Sequence, residues 1–343
     1  MSNRIGIISD EADYKINLAD SSLGAQIVSV SDEFFATASR LLDPKPPRFI
    51  PDLYDSNGKW MDGWETRRRR SIGHDYCIVK LAFPCQIETV IMDTTHFTGN
   101  SPMAVSLDII NCRKDSDLHE TNLWTNFIEM QDIKSDSVNT YSICKSQVVT
   151  HVRLNIFPDG GIARLKIYGD IVVKSEQLET NSDGNINMLN LVNGGKVIGC
   201  SDMHYGSPIN LTKPWPIVNM GDGWETRRRR SQGNDWCIFK MFKPAKISQI
   251  EIDTSFFKGN YPPEISLQAL EQIDFISKYE FHKDLLIYQS MFWTEILGKT
   301  PLNADSIHTI NIQHNQTKYS HIKLNIYPDG GVGRLRVWGY DLG

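Results

Sequence analysis

The chain has 343 residues, 40% hydrophobic and 22% charged, which suffices for two ordinary domains and is too apolar for a disordered chain. Its 36 Lys and Arg against 41 Asp and Glu give a net charge of −5, which argues against a broad basic surface for nucleic acid. No apolar run approaches the ~20 residues of a bilayer-spanning helix, and Met1 to Asp20, with Asp10, Glu11 and Asp13 among its hydrophobics, does not read as a signal peptide.

In chain order, Asp32 to Leu42 is the first stretch that could hold a helix, followed by the Pro-rich run Pro44 to Pro51. Strands are predicted at Cys77 to Leu81, Ile87 to Met92, Val105 to Ile109, Val152 to Phe157 and Leu165 to Tyr168, separated by Pro, Gly and Asn turns. Lys174 to Asn185 is polar and reads as a linker, and Glu271 to Leu286 is a second helix candidate. Many short strands with little helix predict an all-β chain built from jelly-roll β-sandwiches. Six cysteines, at 77, 85, 112, 144, 200 and 237, form no Cys-x-x-Cys pair. They predict reduced thiols and a cytoplasmic location, so the sequons at Asn210 and Asn315 carry little weight.

The strongest signal is internal. Asp62 to Ser71, Asp-Gly-Trp-Glu-Thr-Arg-Arg-Arg-Arg-Ser, recurs unchanged as Asp222 to Ser231, and the match extends over 15 of 19 positions to Lys80 and Lys240. Leu154 to Gly161 returns as Leu324 to Gly331 with only Phe157 changed, to Tyr327, and Arg164-Leu165 returns as Arg334-Leu335. The first copy holds about ten extra residues near Pro44 to Pro51, which the second regains between Leu267 and Phe292. A period this long excludes a solenoid, so each copy is a whole domain. The predicted organisation is a first repeat over 1–173, a linker over 174–185 and a second repeat over 186–343.

Four consecutive arginines without a lysine indicate that the planar guanidinium fork matters, because only Arg can hold a carboxylate or carbonyl bidentately. The run divides between internal pairing, with Asp75/Asp235 or Asp159/Asp329, and ligand contact. In an extended segment Glu65, Arg67 and Arg69 point one way and Trp64, Thr66, Arg68 and Arg70 the other, and the sequence leaves open which face meets a ligand. Pro158-Asp159-Gly160-Gly161 is a turn in which Asp159 either caps the turn or reaches into a pocket. No His-x-His, His-Glu-x-x-His, nucleophile-elbow, phosphate-loop or dinucleotide pattern occurs. His151/His321 is the one histidine shared between the copies, whereas His74, His96 and Arg153 become Asn234, Phe256 and Lys323. Cys77 and Cys237 sit among apolar neighbours and read as buried thiols.

The duplicated blocks Met61 to Arg70, Asp93 to Asn100 and Phe157 to Gly161 resemble the allantoicase family, and the whole length is similar to its fungal members. Each copy is more distantly similar to galactose-binding or discoidin-type jelly-roll domains. The first resemblance implies hydrolysis of allantoate to ureidoglycolate and urea, a step of purine breakdown, by a homo-oligomer of two-domain subunits. The substrate carboxylate then asks for Arg67, Arg69, Arg227, Arg229, Arg164 or Arg334, and its ureido groups for acceptors such as Asp62 and Asp222. Glu65, Asp159, Glu225 and Asp329 are the acid and base candidates, with His96 favouring the first copy. No cofactor is expected, and a divalent metal is left open. A non-catalytic tandem jelly-roll that binds a small polar or carbohydrate ligand is the alternative.

Overall fold

The computed structural model describes residues 15–112, 118, 123–143, 147–172, 178–272, 283–312 and 317–340. Met1 to Tyr14, Cys144, the sequon residue Asn315 and parts of the predicted linker and of the second helix candidate lie outside them. The chain separates into two compact units, one spanning Lys15–Val172 and the other running from Val173 onward.

Each unit is organised on one 19-residue strand, Asp75–Asp93 in the first and Asp235–Asp253 in the second. In the first unit the early part of this strand pairs antiparallel with Gln26–Val30 on one side and Val148–Phe157 on the other. Beyond the register shift between Lys80 and Cys85, the later part pairs with Arg164–Ile171 and Val138–Ser142 instead. Ala104–Ile110 and Thr125–Asp132 complete the first layer. One strand thus serves both layers of the sandwich, and alternation along it aims Cys77, Val79, Ile87, Val90 and Met92 into the core. The second unit repeats the topology around Phe239, Met241, Ile250, Ile252 and their partners. Both units are jelly-roll β-sandwiches, and the chain is all-β apart from short helical turns.

Of the two helix candidates, Asp32 to Leu42 forms only the 3-10 turn Ala38–Leu42, because the chain must cross the sandwich end to meet Glu65. Glu271 to Leu286 ends its strand at Glu271, and its described part enters the helix Lys283–Gln289. Residues 178–185 of the predicted linker pack on the second unit: Glu179 accepts hydrogen bonds from Asn187 and Asn190, and Thr180 bridges Ile186.

The repeated turn owes its glycines to contact distance. Gly160 has φ +139°, and a Cβ there would lie 2.6 Å from the Pro102 nitrogen. On Gly161 a Cβ would fall 2.0 Å from the buried Phe97 ring. Gly330 and Gly331 meet Pro262 and Phe257 in the same way.

Candidate active site

The duplicated motif begins as a strand of two residues, Trp64–Glu65, paired with Gly161–Ile162. Trp64 is fully buried and donates its indole N–H to the Asp32 carbonyl at 2.8 Å, as Trp224 does to Asp202. Thr66 closes the turn, donating its N–H to the Gly160 carbonyl and accepting the Gly160 N–H on its hydroxyl. After Thr66 the chain leaves the sheet, yet the odd and even arginines still part company.

The arginines divide accordingly. Arg67 donates its backbone N–H and Nε to the two Asp32 oxygens at 2.8 and 2.7 Å. Burial raises the Asp32 carboxyl, but these Arg67 bonds outweigh it and hold it below the usual value. The Arg227–Asp202 pair is the same. Arg69 pairs with Asp75 at 2.8 Å, and Arg229 with Asp235. By contrast Arg68, Arg70, Arg228 and Arg230 are exposed and hold no ion pair among the described residues.

Several expectations need correction. Arg164 and Arg334 are 1% and 0% exposed, too deep to meet a substrate. Arg164 spends its donors on the Lys45, Asp62 and Ala163 carbonyls and on the Asp62 carboxylate at 2.9 Å. Asp62 is thereby a structural counter-ion, and Asp222 serves Arg334 and Lys213 likewise. Arg67, Arg69, Arg227 and Arg229 each pair with a carboxylate of their own chain, which engages part of each guanidinium fork. Asp159 is a turn cap, accepting the Arg69 N–H at 2.7 Å. Asp329 caps Arg229 in the same manner, yet it also lines a cavity.

Glu65 and Glu225 remain, each half-buried. Each accepts a hydrogen bond from an asparagine amide, Asn100 at 2.8 Å and Asn260 at 2.7 Å. Burial raises the Glu65 carboxyl above its ordinary 4.5, and the Asn100 bond only partly opposes this. The first-repeat pair forms one wall of a cavity of about 450 Å³ lined also by Phe49, Lys59, His96, Thr98 and Asp136. The second-repeat pair borders one of about 540 Å³, but beside Tyr205, Arg228, Arg230, Tyr261 and Asp329. The carboxylate–amide pair is common to both; the flank that opens differs.

Near Glu65 the backbone of His96 takes φ +72°, held by its N–H donating to Asp136 Oδ1 at 2.8 Å. The imidazole stacks obliquely on Phe49, and Lys59 lies 4.4 Å over the same ring. Phe49 and Lys59 belong to the segment that only the first copy carries. Phe256 keeps the turn, with φ +69° and its N–H on Asp305, but supplies no titratable group. The other departures are local exchanges: His74 and Asn234 each contact Asn155 or Asn325, while Arg153 pairs with Asp108 and Lys323 donates to Ser290. Sequence reasoning missed Lys59, Asn100 and Asp136. Asn100 had a signal, since Gly-Asn ends the duplicated block in both copies.

The family model for the allantoicase repeat matches this chain twice, over residues 16–172 and 186–342. The chain belongs to the allantoicase family. A probable allantoicase of Acinetobacter baumannii (strain SDF) is 45% identical over 95% of this chain and 94% of its own length. "Probable allantoicase 2" of Burkholderia pseudomallei is 42% identical over 94% of each chain. The crystal structure of allantoicase from Saccharomyces cerevisiae superposes with a TM-score of 0.78 at 32% identity, covering 95% of this chain and 93% of that one. The bacterial sequences are nearer than the yeast protein, so the likeness is not particular to fungi. Among the described residues no three His, Cys, Asp or Glu side chains gather as a metal-ligand group, and no helix is long and apolar enough to cross a membrane.

Proposed function

We propose that the first-repeat cleft is where this allantoicase-family chain hydrolyses allantoate to ureidoglycolate and urea. The observation that carries the assignment is Glu65: a half-buried carboxyl, raised by burial, oriented by Asn100 and facing one cavity with His96 and Lys59. A carboxylate destabilised in this way is a stronger base than one in water.

The chemistry follows from the substrate. Allantoate carries a carboxylate and two ureido groups on one carbon. The Lys59 ammonium meets the carboxylate. Ionised Glu65 takes a proton from water, whose oxygen bonds to the central carbon while one C–N bond breaks. His96 delivers a proton to the departing nitrogen, which leaves as urea. Asn100 and Thr98 offer partners to the ureido group that stays. The decisive assay is urea and ureidoglycolate release by the purified chain and by its E65Q and H96Q variants. Full turnover by both variants would reject the placement, and repeating the assay with chelator reads whether a divalent metal takes part.

The same reading places the chain in the cytoplasm as a homo-oligomer. Support comes from Cys77, Cys85 and Cys237, which form no disulfide among the described residues and whose thiols burial pushes up, and from the family resemblance. Light scattering of the purified chain tests the oligomer.

A further inference from the structure

The second repeat presents an arrangement that the proposed chemistry does not use. Its cavity of about 540 Å³ has Arg228 and Arg230 on one side and the Asn260-held Glu225 on the other. Tyr205 and Asp329 complete the polar lining. A structural ion-pair network would draw these opposite charges together. Here the neighbouring Arg227 and Arg229 pair with Asp202 and Asp235. Among the described residues Arg228 and Arg230 hold no ion pair, and a carboxylate lies across an open space. Such a space suits a ligand that brings its own anion to the guanidinium forks and its own N–H donors to Glu225 and Asp329.

The features that make the first cleft reactive are missing. Phe256 replaces His96, and the segment carrying Phe49 and Lys59 has no counterpart.

We propose that the second-repeat cleft is a separate binding site for a small carboxylate bearing ureido N–H groups, occupied without turnover. Resting on the first-cleft reading, this makes the ligand allantoate or its ureidoglycolate product, so that one repeat hydrolyses the molecule and the other holds it.

Calorimetric titration of allantoate into the full-length E65Q variant tests the proposal alongside turnover. The expected result is hydrolysis slowed about 10²–10⁴-fold and two molecules bound per chain. In an E65Q/R228A/R230A variant the stoichiometry falls to one, with an unchanged melting temperature because both arginines are exposed. The R228K/R230K version, which keeps the charge but loses the fork, weakens the second event at least tenfold.

One molecule bound by E65Q and undisturbed by R228A/R230A would overturn the proposal while leaving the first-cleft assignment intact. One molecule bound and lost with R228A/R230A would retain the second site and remove the first. Substantial hydrolysis by E65Q would show that the second cleft is itself catalytic, which overturns both.

Discussion

Replacing Glu65 by Gln separates catalysis from architecture. The side chain keeps its size and an oxygen to accept the Asn100 amide, now at 2.8 Å. What is lost is the ability to take a proton from water. A positioned base contributes about 10²–10⁴-fold, or roughly 3–5 kcal/mol of barrier, and kcat should fall by that factor. Stability should move the other way. The folded-state pKa of Glu65 is raised. Its ionised form therefore costs stability, which is fullest at low pH and declines as pH rises through the raised value. Gln escapes that cost, so the variant should melt at the same temperature as the parent or slightly higher. The parent pH profile should show an acid limb where activity falls as pH drops below the raised Glu65 value, and this limb should be absent from residual E65Q activity. A ureidoglycolate-release assay across pH 4–9, paired with calorimetric melting, reads both quantities. An E65Q variant with activity within about threefold of the parent would refute the role of this carboxylate, whatever its stability.

Arg164→Met takes the Arg164 donors from three carbonyls and leaves the buried Asp62 carboxylate with only its Arg48 contacts, and should cost about 3–5 kcal/mol in urea unfolding. An Asp62→Asn/Arg164→Met pair that recovered none of this would contradict the assigned pairing. Gly161→Ala drives a methyl into the Phe97 ring 2.0 Å away, and should lower stability by at least about 1–3 kcal/mol with a drop in kcat as the turn shifts. His321 is lowered to about 4, chiefly by burial and then by the Lys240 charge. The folded protein keeps it neutral while the unfolded chain protonates near 6.5, so roughly 3 kcal/mol present above that pH is lost as pH falls to 4. His321→Gln should flatten this slope in denaturant titrations at pH 7.5 and 4.5. Asp136→Ala removes the acceptor for the left-handed His96 N–H, and should reduce kcat more than it reduces melting temperature.

The duplication, the sandwich and the glycine turn were legible in the chain because each is a local property. Period-2 alternation in Cys77 to Leu81 and Val152 to Phe157 needs only neighbours, and two adjacent glycines announce a backbone that Cβ atoms would obstruct. The same locality made Asp32 to Leu42 misleading: its apolar spacing suits a helix, yet the chain spends these residues reaching Glu65, far along the sequence. Half of the arginine motif was also legible, since its pairing with Asp75 and Asp235 was an open option that the fold adopts.

What required tertiary structure was the division of labour among similar charges. Asp62, Asp159, Arg67 and Arg164 look as competent in the sequence as Glu65. Only the fold brings Asp62 to Arg164 and Asp32 to Arg67, and a carboxylate or guanidinium already paired within the chain has fewer groups to offer a ligand. Glu65 differs because it is met by a neutral amide, Asn100, 35 positions away, and because Lys59, on the short strand Gly58–Lys59, and His96, on a separate turn, line the same cavity. The chain alone determines that two such domains form and that their turn is built alike. Long-range electrostatic pairing, which depends on distances between residues remote in sequence, decides which charges remain for chemistry.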